Sequence, residues 1–182
     1  MTRLLDSLKA RGVKATFFVL GEQVRREPDV VRRMVAEGHE VDNHSCDHPD
    51  FRHLSRAEQQ REINATRSAL RSLGIEPTYF RPPYGDYDPE IIRAAARDGP
   101  TVVLWTVDAK DWKHHTVHAP EARVDRGLEV NVGRIYLFHD IHAWTVAAMP
   151  AILGRLAERG CRFVTLTQFL AERSARPTSG SR

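Results

Sequence analysis

The sequence predicts an α/β fold on a mostly parallel sheet, and three features carry that prediction. Short apolar runs alternate with amphipathic stretches that bear helix caps. Most of the runs are separated by enough residues for a helical crossover, which parallel neighbours require. The polar residues able to do chemistry follow the runs, as at the carboxyl ends of parallel strands. Such a sheet either closes as a barrel or stays open and doubly wound.

Taken in order, Leu4, Leu5 and Leu8 mark a helix that ends at Gly12. Ala15 to Leu20 is a nearly continuous apolar run, the pattern of a strand covered on both faces. Pro28 opens a second helix, with Val30, Val31, Met34 and Val35 turned inward and Gly38 as its stop. Glu40 to Asn43 reads as a short strand. Ser55 and Glu58 form a capping box for a long helix that stops at Gly74. Thr78 to Arg81 is the next strand, and Asp88 with Pro89 starts another helix. Thr101 to Val107 reads as one buried strand, followed by a weak helix from Pro120 to Gly127 and a strand from Arg134 to His139. A helix from Val146 to Arg159 stops at Gly160; Cys161 to Leu166 is the last strand, and a short helix follows. Residues 1–173 thus form one domain, and the Ser/Gly/Arg/Pro tail, 174–182, is expected to be disordered. There is no internal repeat and no linker.

Composition narrows the class of protein. The 182 residues, 41% hydrophobic and 28% charged, suffice for one sizeable core. The 27 basic and 24 acidic side chains nearly cancel, leaving a net charge of +3. Arginines sit among carboxylates on helical stretches such as Arg56 to Arg61 and Arg155 to Arg159, which describes a solvated mixed-charge face and not a nucleic-acid stripe. No apolar run is long enough to span a bilayer. Residues 1–12 read as an amphipathic helix and not as a secretory signal. Cys46 and Cys161 make no disulfide framework; spacing leaves them free or paired. Nothing in the pattern codes an oligomer, and a monomer is the expectation.

His44 and His48 follow the second strand; Arg81, Pro82, Pro83, Tyr84 and Gly85 the third; Asp108, Asp111 and Trp112 the fourth; His139 and Asp140 end the fifth. Two imidazoles four residues apart can converge on one ion, although two surface histidines are the other reading. Zinc or another divalent transition metal suits imidazole ligands, and a catalytic zinc normally has three protein ligands. His139 closes an apolar strand; it is either a core histidine bonded to a carbonyl or a general acid, with Asp111 able to orient and charge it. His114, His115 and His118 read as a solvated loop and not as a second metal site. His142 and Trp144 either touch substrate or pack, and Cys46 is a small filler between the two histidines.

The ordered set His44-Ser45-Cys46-Asp47-His48, Arg81-Pro82-Pro83-Tyr84-Gly85, Asp108-Ala109-Lys110-Asp111-Trp112 and Leu137-Phe138-His139 resembles motifs two to five of the polysaccharide deacetylases, carbohydrate esterase family 4. Ala15-Thr16-Phe17-Phe18-Val19 and Glu37-Gly38-His39-Glu40 resemble its connecting segments, so the likeness runs from Leu4 to about Leu166. The resemblance implies a distorted (β/α) barrel and removal of N-acetyl, or O-acetyl, groups from an acetylated polysaccharide or oligosaccharide such as peptidoglycan or a chitin-like glycan. It implies His44 and His48 as zinc ligands and Tyr84 as a backbone N–H donor to the oxyanion. Arg81 would position the catalytic base, and His139 would be the acid, tuned by Asp111. Trp112 and Leu137, with Pro83 beside them, would line the substrate pocket. It also implies a secreted or cell-envelope location.

The family's first motif, a strand ending in Thr-Phe-Asp-Asp-Gly, is not found in the chain. It supplies the base and the third metal ligand, so the barrel is expected to be incomplete, with its first strand missing. Asp42, Asp50 and Asp140 are the candidate substitutes for the ligand, though no spacing argues for any of them. One expectation is a natural chain that begins roughly twenty-odd residues earlier, about one βα unit. The other is a non-catalytic relative that keeps the cleft and binds glycan.

Overall fold

The computed structural model describes residues 2–97, 99–113, 115–127 and 133–175. The chain divides into two compact units, Thr16–Leu104 and Met1–Ala15 with Trp105–Arg182. Every strand pair in either unit is parallel, which establishes the α/β class.

The chain opens with α1 (Thr2–Ala10), which buries Leu4, Leu5 and Leu8 and belongs to the second unit. Its end follows from the backbone. Gly12 takes φ 63°, and Val13 N–H returns to the Leu8 carbonyl at 3.0 Å, satisfying one of the helix's last acceptors.

In the Thr16–Leu104 unit, β1 (Thr16–Val19), β2 (Glu40–Asn43), β3 (Tyr79–Phe80) and β4 (Thr101–Val102) lie side by side in chain order. β1 and β2 pair from Thr16 opposite Glu40 to Val19 opposite Asn43. The crossovers are α2 (Gly21–Arg26) and α3 (Pro28–Ala36), then α4 (Arg56–Arg71), then α5 (Pro89–Arg97). Ser55 and Glu58 close the expected capping box on α4. Phe51, Ile63, Phe80, Ile91, Ala94 and Ala95 form the core here, with Leu54 and Val102 against it. Truncating a ring such as Phe80 to alanine would cost about 3–5 kcal/mol. On α3, Val31 and Met34 face inward as expected, but Val35 is exposed.

Sequence reasoning did not foresee α2. Its N-cap, Leu20, offers no side-chain bond, and six residues are too few for a periodic signal. Gly21 opens it because α4 passes close by: a Cβ there would lie 2.6 Å from Thr66 Oγ1 and 3.0 Å from Thr66 Cα.

In the other unit, β5 (Val107–Asp108) pairs with β6 (Tyr136–Leu137). α6 (His118–Gly127), α7 (Ala143–Glu158) and α8 (Leu166–Ala175) complete it, and α1 packs on α7. Its core is Val124, Ala148, Ile152 and Leu156, flanked by Val117, Tyr136, Phe138, Cys161 and Phe163.

Three expectations need correction. Thr101 to Val107 is not one strand. It breaks into β4 and β5, and the boundary between units falls at Leu104. Just past β4, the carbonyls of Val103 and Leu104 accept from the Arg81 guanidinium, so a side chain takes the place of a strand neighbour. Cys161 to Leu166 is not a strand either. Cys161 and Phe163 pack partly buried against the core without a ladder, and Thr165 caps α8, with its hydroxyl accepting from Gln168 N–H at 3.4 Å. α8 also continues to Ala175, past the point where the tail was expected to begin; residues 176–182 lie outside the described residues.

Candidate functional site

The histidine loop grows from the end of β2. His44 N–H still bonds the Val19 carbonyl at 3.0 Å, the last rung of the β1–β2 ladder. The chain then turns sharply through Ser45 (φ 71°) and His48 (φ 68°), left-handed conformations that cost a non-glycine residue energy. Hydrogen bonds hold the turn in place. Asn43 Oδ1 accepts from Ser45 N–H at 3.0 Å, and Ser45 Oγ accepts from His48 N–H at 3.1 Å. Glu62, on α4, accepts from Cys46 N–H at 2.9 Å and Asp47 N–H at 3.3 Å. The first amides of α2 close the other side, Gly21 to the Ser45 carbonyl and Glu22 to the Cys46 carbonyl, each at 3.0 Å.

This brings the two imidazoles together, with ring centroids 4.9 Å apart and planes at 78°. His44 Nδ1 lies 2.6 Å from the Arg81 carbonyl oxygen. A carbonyl only accepts, so Nδ1 carries a proton, and in the neutral ring the lone pair falls to Nε2. A backbone acceptor of this kind is how metal-ligating histidines are commonly oriented. Tyr84 packs edge-on to His48, centroids 4.8 Å apart. It stands in the turn after Pro83, itself buried, and adopts φ 59°, ψ 0°. Arg81 is buried, its guanidinium over the Phe18 ring at 3.9 Å and bonded to the Val103 and Leu104 carbonyls. Burial lowers it to about 10, although the Asp42 charge opposes the shift.

The donor set here suits a borderline divalent ion such as zinc at two positions. The described residues do not complete a three-ligand site, since they hold no cluster of three His, Cys, Asp or Glu side chains fit for a metal. Each proposed substitute has another occupation. Asp42 Oδ1 accepts from Thr78 N–H (2.8 Å) and Tyr79 N–H (2.9 Å), and burial raises its carboxyl to about 6. Asp50 is gripped by Arg52, whose hydrogen bond is the chief reason its carboxyl falls to about 2. Asp140 belongs to the other unit and is pushed up by burial.

In that other unit the polar centre is Asp111, fully buried in the turn after β5. Asp108 Oδ1 accepts from Lys110 N–H at 2.7 Å, and Lys110 takes φ 50°, which swings the next residue inward. Asp111 Oδ1 accepts from His139 Nδ1 at 2.7 Å and from Trp112 N–H at 3.1 Å. Its Oδ2 accepts from His139 N–H at 2.7 Å and from Thr145 Oγ1 at 2.8 Å. Burial alone would raise this carboxyl, but the bonds from His139 and Thr145 together prevail and hold it below the usual value. The carboxylate is therefore ionised and accepts only, so His139 Nδ1 donates and Nε2 is the nitrogen that gains and loses a proton.

Leu137 is buried on β6 opposite Asp108, and Trp112 is half exposed. Trp144 both packs and bonds: His142 stacks on it at 4.6 Å, His115 lies at 4.8 Å, and its Nε1–H donates to the Asp111 carbonyl at 2.8 Å. His118 sits by Glu121, and His114 lies outside the described residues. Both thiols are free, and Arg25 Nη2 donates to Cys46 Sγ at 3.0 Å.

The predicted residues thus fall into two groups, one per unit: His44, His48, Arg81, Pro83 and Tyr84 in the first, Asp111, Trp112, Leu137 and His139 in the second. Sequence reasoning missed Asn43, Glu62 and Thr145. Glu62 lies mid-helix and Thr145 is 34 positions from its partner, so no local pattern announces either.

One unit of this parallel α/β chain thus holds an imidazole pair after a strand, and the other holds an aspartate-backed imidazole after a strand. Residues 1–103 match the polysaccharide deacetylase family, and the chain belongs to that family. It is 38% identical over 171 residues to the peptidoglycan-N-acetylglucosamine deacetylase PgdA of Listeria monocytogenes, covering 93% of this chain and 36% of that protein. The chain thus spans about a third of that relative's length. The peptidoglycan deacetylase PdaC of Bacillus subtilis superposes with a TM-score of 0.88 at 36% identity, over 95% of this chain and 84% of that one. The fold is therefore the distorted barrel-like α/β fold of carbohydrate esterase family 4. A pseudoenzyme of the same family from Bacillus anthracis superposes with a TM-score of 0.86 at 30% identity, over 93% of this chain and 59% of that one.

Proposed function

We propose that this chain carries the metal-binding histidines and the acid of a deacetylase acting on N-acetylated glycans, peptidoglycan or a chitin-like polymer, outside the cytoplasm or in the cell envelope. The observation that carries the reading is the buried Asp111 carboxylate bonded to His139 Nδ1, in a chain of this family. Asp111 fixes the tautomer, so His139 Nε2 holds the proton when the imidazole is charged and delivers it to the departing amine nitrogen as the amide C–N bond breaks. Water supplies the oxygen of the acetate released. His44 and His48 would hold zinc, which when bound polarises the amide carbonyl and activates water. Tyr84 N–H would face the oxyanion, Arg81 would position the base, and Trp112, Leu137 and Pro83 would receive the acetylated sugar. No helix among the described residues is long and apolar enough to cross a membrane.

A second reading, a glycan-binding relative without catalysis, is favoured by one observation: the described residues hold no group of three His, Cys, Asp or Glu side chains fit for a metal. Acetate release from N-acetylglucosamine oligomers and from peptidoglycan separates the two. The zinc-loaded 182-residue chain is expected to release acetate feebly or not at all, and a form extended by a strand bearing two aspartates to release it far faster and to lose that rate in His139→Ala. Equal rates with and without the extension, or an extended His139→Ala variant as fast as its parent, sink the hydrolase reading as stated.

A further inference from the structure

We propose that Thr145, in the first turn of α7, is a positioning residue for His139: its hydroxyl holds one oxygen of Asp111 and thereby sets how that carboxylate engages the imidazole. The geometry leaves this hydroxyl little else to do. Thr145 is 1% exposed, and its Oγ1 lies 2.8 Å from Asp111 Oδ2. An ionised carboxylate offers no hydrogen, so the hydroxyl must donate. Among the described residues Oδ2 has one other donor, the His139 backbone N–H, while Oδ1 is shared by His139 Nδ1 and Trp112 N–H. The four bonds fix the carboxylate plane, and with it the imidazole, from three elements: the turn after β5, the end of β6 and the start of α7. The same turn of α7 secures the Asp111 backbone, since Trp144 Nε1–H donates to the Asp111 carbonyl.

The chemical consequence follows from the charge. Each donor stabilises the carboxylate and lowers its basicity. Without the Thr145 hydroxyl the anion is less stabilised, draws harder on the Nδ1 proton and favours the charged imidazole. Among the described residues, titratable groups beside His139 include Asp140, next in the chain, and His142, whose ring centroid lies 6.3 Å away; the Thr145 hydroxyl is directed to Asp111.

The inference bears on the proposed function because His139 is the acid of that reading, yet its test needs no turnover. The side-chain ¹⁵N resonances of His139 are followed by NMR across pH in the 182-residue chain. Thr145→Val is expected to raise the imidazole midpoint by about half a pH unit or more, and Thr145→Ser, which keeps the donor, to leave it in place. An unmoved or lowered midpoint in Thr145→Val, or an equal shift in Thr145→Ser, overturns the proposal. The unaltered chain supplies a second measurement, independent of whether the valine variant folds: the Thr145 hydroxyl proton is expected to be visible and slow to exchange, and rapid exchange with water overturns it. A chain that passes both measurements while the extended form releases no acetate refutes the proposed activity alone.

Discussion

The two groups of candidate residues are held in place by different means. Around His44 and His48 the backbone does most of the positioning. Three side chains ride on left-handed residues, and the loop is clamped through its amides and carbonyls by Glu62 and the start of α2. Around His139 a single buried carboxylate organises everything, and three of its four donors belong to His139 and Thr145, 28 and 34 positions away in sequence. The histidine loop should therefore answer to changes in packing and loop shape, and the Asp111–His139 centre to changes of one functional group.

The sharpest break in that comparison is Asp111→Asn. The amide keeps the shape but turns an NH₂ toward donors, stranding buried groups. Urea unfolding is expected to show a loss of about 2–4 kcal/mol. A loss under 1 kcal/mol would mean the carboxylate is not the organiser described here. Next comes Gly21→Ala, whose Cβ would meet Thr66 Oγ1 at 2.6 Å. It should cost about 1–3 kcal/mol and lower Tm, with amide shifts concentrated in residues 44–48, because Gly21 N–H holds the Ser45 carbonyl. Shifts confined to α2 and α4 would break the link between helix and loop. Glu62→Ala should weaken zinc binding about tenfold in a competition titration, while Glu62→Gln, which keeps the acceptor, stays near the parent.

The smallest effect is a difference of sign between two carboxylates. Asp111 titrates below its usual value in the fold, so its contribution to stability is full above the unfolded value of 3.8 and is lost as pH falls through the folded one. Asp140 is raised, so its contribution is full below 3.8 and is lost as pH climbs through its folded value. Unfolding free energies taken from pH 3 to pH 8 should show Asp140→Asn gaining on the parent as pH rises. A gain on acidification instead would reverse the assignment.

What could be read in advance divides along the same line. The Ser55–Glu58 capping box, β2 at Glu40 to Asn43, and the closeness of His44 to His48 all depend on residues near one another in sequence, and they were legible. α2 was not, because a helix that starts on glycine, lacks a cap bond and spans six residues has no pattern to detect. The break between β4 and β5 depends on Arg81 reaching the carbonyls of Val103 and Leu104, more than twenty positions away. Cys161 to Thr165 shows the converse error: an apolar run records burial, and burial does not require a ladder. Thr145 and Glu62 escaped notice because a serine, threonine or glutamate in a helix is ordinarily a surface residue, and only tertiary proximity gives these two a partner.

Ser45, His48 and Tyr84 occupy backbone geometry that glycine would adopt more cheaply, by about 1 kcal/mol apiece. Anyone hardening this scaffold by relaxing unfavourable torsions would be led first to these three positions. Each such relaxation would remove the hydroxyl that fixes the His48 amide, an imidazole, or the ring beside it. A search for thermostable variants that scores only the melting temperature would therefore tend to enrich for chains that have lost the loop's chemistry.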